Sequence, residues 1–102
     1  MLTFTNAAEQ AAWTMAETLS EKAFAAMKLA EEAFETFRGG KMAMRRQFKA
    51  RGLSEVDAAI RWKSTAQAQS ALADHEFYMS LASMYNEAAA AQYAKALYLK
   101  SR

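Results

Sequence analysis

The single histidine of this 102-residue chain, His75, lies between Asp74 and Glu76, and such a run is a candidate metal-binding triplet. On a helix, however, successive side chains point about 100° apart, so these three groups cannot converge on one ion. We therefore expect His75 to lie in a helix seam, hydrogen-bonded to a neighbour or to water, and we predict no bound metal. The positions three and four residues away hold no carboxylate or further imidazole, being Ala71, Leu72, Tyr78 and Met79.

Other catalytic arrangements are also unsupported. Glu31, Glu32 and Glu35 form the densest acidic cluster, but di-iron bundles combine such carboxylates with a glutamate–histidine pair three residues apart, which this sequence lacks. With one histidine and no cysteine, Ser–His and Cys–His nucleophiles have no supporting context. Gly39-Gly40 precedes basic residues without the remainder of a phosphate-binding loop. We therefore predict that the protein is not an enzyme and takes no cofactor.

Charge is segregated along the chain. Residues 1–37 carry a net charge of −4, residues 38–63 carry +6, and residues 64–102 are neutral overall. The basic segment could neutralise the phosphates of nucleic acid or of lipid head groups. The alternative is a solvated turn whose cations meet the acidic residues of the first helix in a partner subunit. The segment contains no zinc finger, RNP motif or repeated basic array.

If this segment is a helix, four of its cations lie within roughly 140° of arc around the helix axis: Lys41, Arg45, Arg46 and Lys49. Trp62 is added to the candidates because aromatic residues with a polar tip are enriched in protein interfaces. The predicted contacts to a protein partner or to phosphates are Lys41, Arg45, Arg46, Lys49, Arg51 and Trp62.

The composition predicts which elements position these residues. The chain has 25 alanines, no proline, and only one valine and one isoleucine. Alanine is the best helix former, whereas strands favour β-branched residues, so we predict an all-α fold. Residues 1–102 are short enough for a single helical domain.

Two glycine sites divide the helical pattern. Asn6 is a candidate N-cap for the first helix, and Gly39-Gly40 offers a left-handed cap that ends it. Gly52 offers a second stop, followed by Ser54 as a new N-cap. The alternative is that Gly52 lies inside one very long helix. The predicted elements are a helix over residues 6–38, a basic bend or short helix over 39–53, and a helix over 54–100 that packs antiparallel to the first.

The last helix is apolar on more than one side. One stripe alternates steps of three and four residues from Ala71 to Leu99, and a second stripe lies beside it. Two helices cannot bury that many faces on each other, so we predict a homo-oligomeric bundle, a dimer or larger. The residues predicted to form its core or oligomer interface are Phe77, Tyr78, Leu81, Met84 and Tyr85.

The segment Gln69–Tyr78 is similar to stretches in short, uncharacterised helical proteins of actinobacterial phages, a resemblance over about a tenth of the chain. It implies a viral origin and no activity. Two long helices around a central break also resemble the layout of the WXG100 family. However, the bend reads Arg38-Gly39-Gly40 instead of Trp-x-Gly, and no tyrosine has an acidic residue four positions later. We therefore do not assign the chain to that family.

Together these patterns favour a non-enzymatic protein-interaction module that binds an unidentified protein partner. The alternative is a nucleic-acid-binding accessory protein that uses residues 38–63, and a virion component is a third interpretation. The longest uncharged runs, Ser64–Ala73 and Phe77–Asn86, have ten residues each, whereas a membrane span needs about 20. Residues 1–6 lack the layout of a signal peptide. We expect a cytoplasmic protein, in the host cytoplasm if it is viral.

Overall fold

A computed structural model describes residue 4 and residues 6–101. These residues form three helices and no strand: α1 Ala7–Ala50, α2 Glu55–Lys63 and α3 Ala66–Ser101. The long helices α1 and α3 pack antiparallel, with the short helix α2 at the bend. The all-α hairpin expected from composition is thus confirmed. The expectation about a signal peptide falls mainly on residues 1–3 and 5, which lie outside the described residues.

The chain packs into two compact units. The bend unit is Lys28–Tyr78, and the terminal unit combines the residues before it with the residues after it. Helices α1 and α3 contribute to both units, whereas α2 belongs to the bend unit alone.

The start of α1 follows the sequence prediction. The backbone N–H of Glu9 donates to Oδ1 of Asn6 at 2.7 Å, so the asparagine side chain satisfies one of the free donors in the first helical turn. Asn6 is therefore the N-terminal cap of α1.

The end of α1 corrects the prediction that the helix stops at Arg38. The helix continues through Gly39 and Gly40 to Ala50. Each interior glycine costs about 1 kcal/mol relative to alanine. At Gly40 the missing side chain leaves room for the indole ring of Trp62, which packs directly on the helix backbone. Gly40 is thus a site of close approach between helices and not a helix stop.

The stop occurs instead at Gly52, the one described residue with positive φ (72°). Leu53 N–H donates to the carbonyl of Phe48 at 2.8 Å and Gly52 N–H to that of Lys49 at 3.0 Å. This pair of bonds is a Schellman motif, which glycine permits because it enters the left-handed region without steric cost. The predicted break at Gly52 is therefore confirmed.

The short helix lies after this break and not before it. Residues 41–50, predicted as part of a separate bend helix, belong to α1, and α2 occupies Glu55–Lys63. Ser54 caps α2 as predicted, its Oγ accepting from the Asp57 N–H at 3.4 Å. The short helix was predicted too early in the chain because Gly39-Gly40 has the local sequence of a helix stop.

A second correction concerns the predicted continuous helix over 54–100, which is interrupted at Ser64 and Thr65. The Ser64 hydroxyl donates to the Arg61 carbonyl at 2.8 Å, and the Thr65 hydroxyl donates to the Trp62 carbonyl at 2.7 Å. Thr65 Oγ1 also accepts from the Ala68 N–H at 3.1 Å, capping α3. Hydroxyl side chains that compete for backbone groups in this way favour helix ends over helix interiors.

In the terminal unit, α1 and α3 meet along alanines. Because alanine carries a single methyl group, the helix backbones can approach closely. One flank of this seam holds Trp13 against Tyr93, with ring centroids 5.0 Å apart in an edge-to-face arrangement. The buried apolar side chains of this unit are Ala12, Ala16, Ala23 and Ala26 of α1 and Ala82, Ala89 and Ala96 of α3.

The core of the bend unit contains aromatic side chains as well as alanines, and a third helix contributes to it. Trp62 of α2 packs on Phe37 of α1, with ring centroids 6.0 Å apart. Ala68 and Ala71 of α3 complete this cluster. The indole therefore links all three helices.

Candidate interaction surfaces

The residues predicted as core or interface on α3 divide by helix face. In the terminal unit Tyr85 is half-buried, and Lys22 Nζ lies 5.9 Å from its ring centroid. Leu81 is also half-buried, whereas Met84 is 55% exposed. Tyr85 thus belongs to the seam between the helices, and Met84 faces outward.

In the bend unit, the preceding turns of α3 also carry one half-buried and one exposed side chain of the predicted set. Tyr78 is half-buried, and Phe77 is 60% exposed with its ring centroid 5.3 Å from that of Tyr78. Phe77 and Met84 are seven residues apart, so they lie on one side of α3, with Leu81 between them. We call Phe77, Leu81 and Met84 the α3 outer stripe.

Large apolar side chains are more often exposed than fully buried in this structure. Among the described residues, the buried hydrophobics are alanines apart from Phe37 and Trp62. Isolated exposed apolar residues are ordinary, whereas a large exposed apolar patch is informative. The large apolar residues that are at least 40% exposed are Met15, Phe24, Leu29, Phe34, Met42, Leu53, Val56, Ile60, Phe77, Met79, Met84, Leu97 and Tyr98.

Trp62 occupies a different place from the one predicted for a partner or phosphate contact. Its side chain is 5% exposed and lies in the interior of the bend unit. Its Nε1 has no hydrogen-bond acceptor among the described groups. A buried donor without a partner costs about 1–3 kcal/mol, which offsets part of the stabilisation from burying the indole.

The predicted cations lie on the final turns of α1. Arg45 and Arg46 line one shallow depression of about 210 Å³ together with Met42 and Glu55. Arg45 Nη2 lies 3.5 Å from Oε2 of Glu55, which joins α1 to the start of α2. Because both side chains are nearly half exposed, this pair contributes little to stability.

The remaining cations spread around the bend. Lys49 and Arg51 are exposed, whereas Lys41 is half-buried. Arg61 of α2 lies over the ring of Phe48, with 6.0 Å between guanidinium carbon and ring centroid. The structure therefore brings only Arg45 and Arg46 of the predicted set into one site.

His75 lies where the seam prediction placed it. Its Nδ1 is 3.0 Å from the backbone carbonyl of Ala30, and its ring is 5.3 Å from that of Phe34. A carbonyl oxygen can only accept, so Nδ1 carries the proton and donates.

Across the described part of the chain, no group of three or more potential ligand side chains could hold a metal ion. None of the described helices is long and apolar enough to cross a membrane.

A groove of about 530 Å³ runs beside Trp62 in the bend unit. Thr36 and Gly40 line it from α1, and Gln67, Ser70 and Asp74 line it from α3. Its wall combines an aromatic face with small and polar side chains.

Sequence reasoning missed the outward face of α2. Val56 and Ile60, the only valine and isoleucine of the chain, are 69% and 63% exposed. Helical periodicity alone could have predicted this face, because the two residues lie opposite Ala58 and Trp62, the positions that α2 buries. The prediction of one long helix over residues 54–100 gave no reason to treat α2 as a separate element with its own exposed face.

Comparisons of the chain with protein-family models, with curated proteins and with solved structures found no match.

Proposed function

We propose that this protein is a non-enzymatic helical interaction module that forms a homo-oligomer and binds a protein partner through its outer surfaces. One observation carries this proposal: among the described residues the buried apolar side chains are alanines apart from Phe37 and Trp62, while thirteen large apolar side chains are at least 40% exposed. A monomer of this kind leaves much of its large apolar surface in contact with water.

The magnitudes favour association. Burying one large apolar side chain is worth about 1.5–3 kcal/mol relative to leaving it exposed, whereas an alanine methyl group contributes much less. A contiguous apolar patch is also typical of protein-binding surfaces. Packing Phe77 and Met84 against a second copy would therefore add stabilisation that the alanine seam does not provide.

The α3 outer stripe is the preferred contact for self-association. Its residues recur at steps of four and three, the spacing of apolar residues where two helices pack side by side. The stripe borders the seam residues Tyr78 and Tyr85, and its exposed members Phe77 and Met84 could contact a second copy without displacing α1.

Sedimentation equilibrium of the full chain tests the proposal. The wild type is expected to sediment as a dimer or larger at tens of micromolar, above its monomer mass of 11.4 kDa. The double variant Phe77→Ser/Met84→Ser is expected to shift toward monomer and keep its helical circular dichroism, because both side chains are exposed in the monomer.

A matched control is Leu97→Ser, which removes an apolar side chain that is 63% exposed on another side of α3. It should leave the assembly intact. A well-folded wild-type monomer would overturn self-association, and dissociation by Leu97→Ser alone would overturn the choice of the α3 outer stripe.

Nucleic-acid binding through residues 38–63 is the second candidate. The shared depression of Arg45 and Arg46 favours it, since two adjacent guanidinium groups can engage phosphate oxygens. Glu55 in the same depression opposes it by placing a carboxylate where phosphates would approach.

A further inference from the structure

The outward face of α2 combines apolar and basic side chains. Val56, Ile60 and Lys63 are spaced by four and three residues, so they share one face of the helix. All three are exposed. On α1, Met42 is 46% exposed and lines the same depression as Arg46, which extends to α2 at Glu55. We call Met42, Arg46, Val56, Ile60 and Lys63 the bend surface.

The cations of the bend surface favour an occupant that carries carboxylates. Arg46 and Lys63 are both exposed, and the carboxylate of Glu55 in the same depression is paired with Arg45 at 3.5 Å. An occupant that fits must offer carboxylates or other anions together with apolar contacts for the two β-branched side chains. Complementary charge of this kind speeds and orients association between protein surfaces.

The same chain carries a surface of the required sign. Glu31, Glu32 and Glu35 are exposed on α1, in a segment of residues 1–37 whose net charge is −4, and Glu35 is ion-paired with Arg38 of the same helix at 3.5 Å. The exposed apolar residues Leu29 and Phe34 lie within the same turns of the helix. We call Glu31, Glu32 and Glu35 the acidic turn.

Along α1, the acidic turn lies well away from Arg46 of its own chain. Glu32 and Arg46 are both on α1, and 14 residues at 1.5 Å per residue separate them by about 21 Å along the helix. This distance exceeds the Debye length of about 10 Å at 0.1 M salt, so the attraction within one chain is largely screened. Direct contact between Arg46 and Glu31 or Glu32 therefore requires a second copy.

We propose that the bend surface of one copy docks on the acidic turn of a second copy, in a two-fold dimer where both contacts are made reciprocally. This inference rests on the proposed self-association and names its charged contact. In a two-fold dimer each surface meets the other surface of the partner, so two copies satisfy both contacts at once.

Charge reversal with rescue between chains tests the proposal. The bend-reversed variant carries Arg46→Glu and Lys63→Glu, and the acid-reversed variant carries Glu31→Lys and Glu32→Lys. Each variant alone is expected to self-associate at least about tenfold more weakly than wild type at low salt, because like charges now face each other. An equimolar mixture is expected to regain wild-type affinity as a 1:1 heterodimer, since both reciprocal contacts again join opposite charges.

The control reverses two exposed acids of α3 outside both surfaces, Glu76→Lys and Glu87→Lys, and should associate as wild type does. If each reversed variant associates as strongly as wild type, the charged contact is wrong while self-association stands. If wild type is monomeric, both proposals fail. If the bend-reversed variant loses binding to vesicles of anionic lipid while its self-association is unchanged, the bend surface serves a membrane instead.

Discussion

Trp62 fills the space that a Cβ atom on Gly40 would need, so the indole of α2 rests on the bare backbone of α1. At the neighbouring Gly39, no side chain or other helix among the described residues comes within 4 Å of where a Cβ atom would lie. Two adjacent glycines of one helix therefore have opposite roles. Only Gly40 is required by packing.

This difference predicts opposite effects of the same substitution. Gly39→Ala should raise the free energy of unfolding by about 1 kcal/mol, because alanine is the better helix former. Gly40→Ala should lower it by about 1–3 kcal/mol, because overpacking against the indole outweighs the same gain in propensity. Urea denaturation followed by circular dichroism measures both.

The mechanism can be checked with a smaller ring at position 62. Trp62→Phe removes part of the indole that faces Gly40, so Gly40→Ala should cost less in that background than in wild type. Equal costs in the two backgrounds would show that the Gly40 effect does not come from this contact.

The hydrogen bond from His75 to Ala30 joins α3 to α1 in the bend unit. His75→Phe keeps an aromatic ring beside Phe34 but removes the donor, and should lower the free energy of unfolding by about 1 kcal/mol. Glu76→Ala, at the exposed neighbouring position, should change it by less than about 0.5 kcal/mol. Thermal denaturation of the two variants compares them, and equal effects would contradict a specific role for the imidazole.

The alanine seam of the terminal unit should not tolerate larger residues. Ala89 is 3% exposed in this seam, so Ala89→Leu is expected to cost about 1–3 kcal/mol by forcing the helices apart. Ala90→Leu adds the same atoms at an exposed position and should be nearly neutral. If chemical denaturation ranks the two variants the other way round, α1 and α3 do not pack closely at Ala89.

Binding of nucleic acid should be weak at best, because Glu55 lies beside the paired arginines. We expect no binding of labelled duplex DNA or RNA at micromolar protein and 50 mM salt. The opposite result would be binding whose association constant falls as salt rises, with a log–log slope near −0.9 per neutralised phosphate. In that case Arg46→Gln would also weaken the binding. Fluorescence anisotropy distinguishes the two outcomes.

Local features of the sequence determined much of the fold. The alanine content and the absence of proline specify helices, and the caps at Asn6, Gly52 and Ser54 act within four or five residues of where they stand. The stripe containing His75 and Tyr85 marks the seam of α3, because helical periodicity alone determines which residues share a face. These features can be predicted because their causes are local.

Only the tertiary structure decided the features that depend on a distant partner. Gly39-Gly40 has the local chemistry of a helix stop, yet α1 continues through it because Trp62, some 20 residues later, packs on Gly40. The same packing takes Trp62 into the interior and leaves Val56 and Ile60 exposed. Local propensities of about 1 kcal/mol per residue are small beside the burial of an indole, so a contact between helices overrides them.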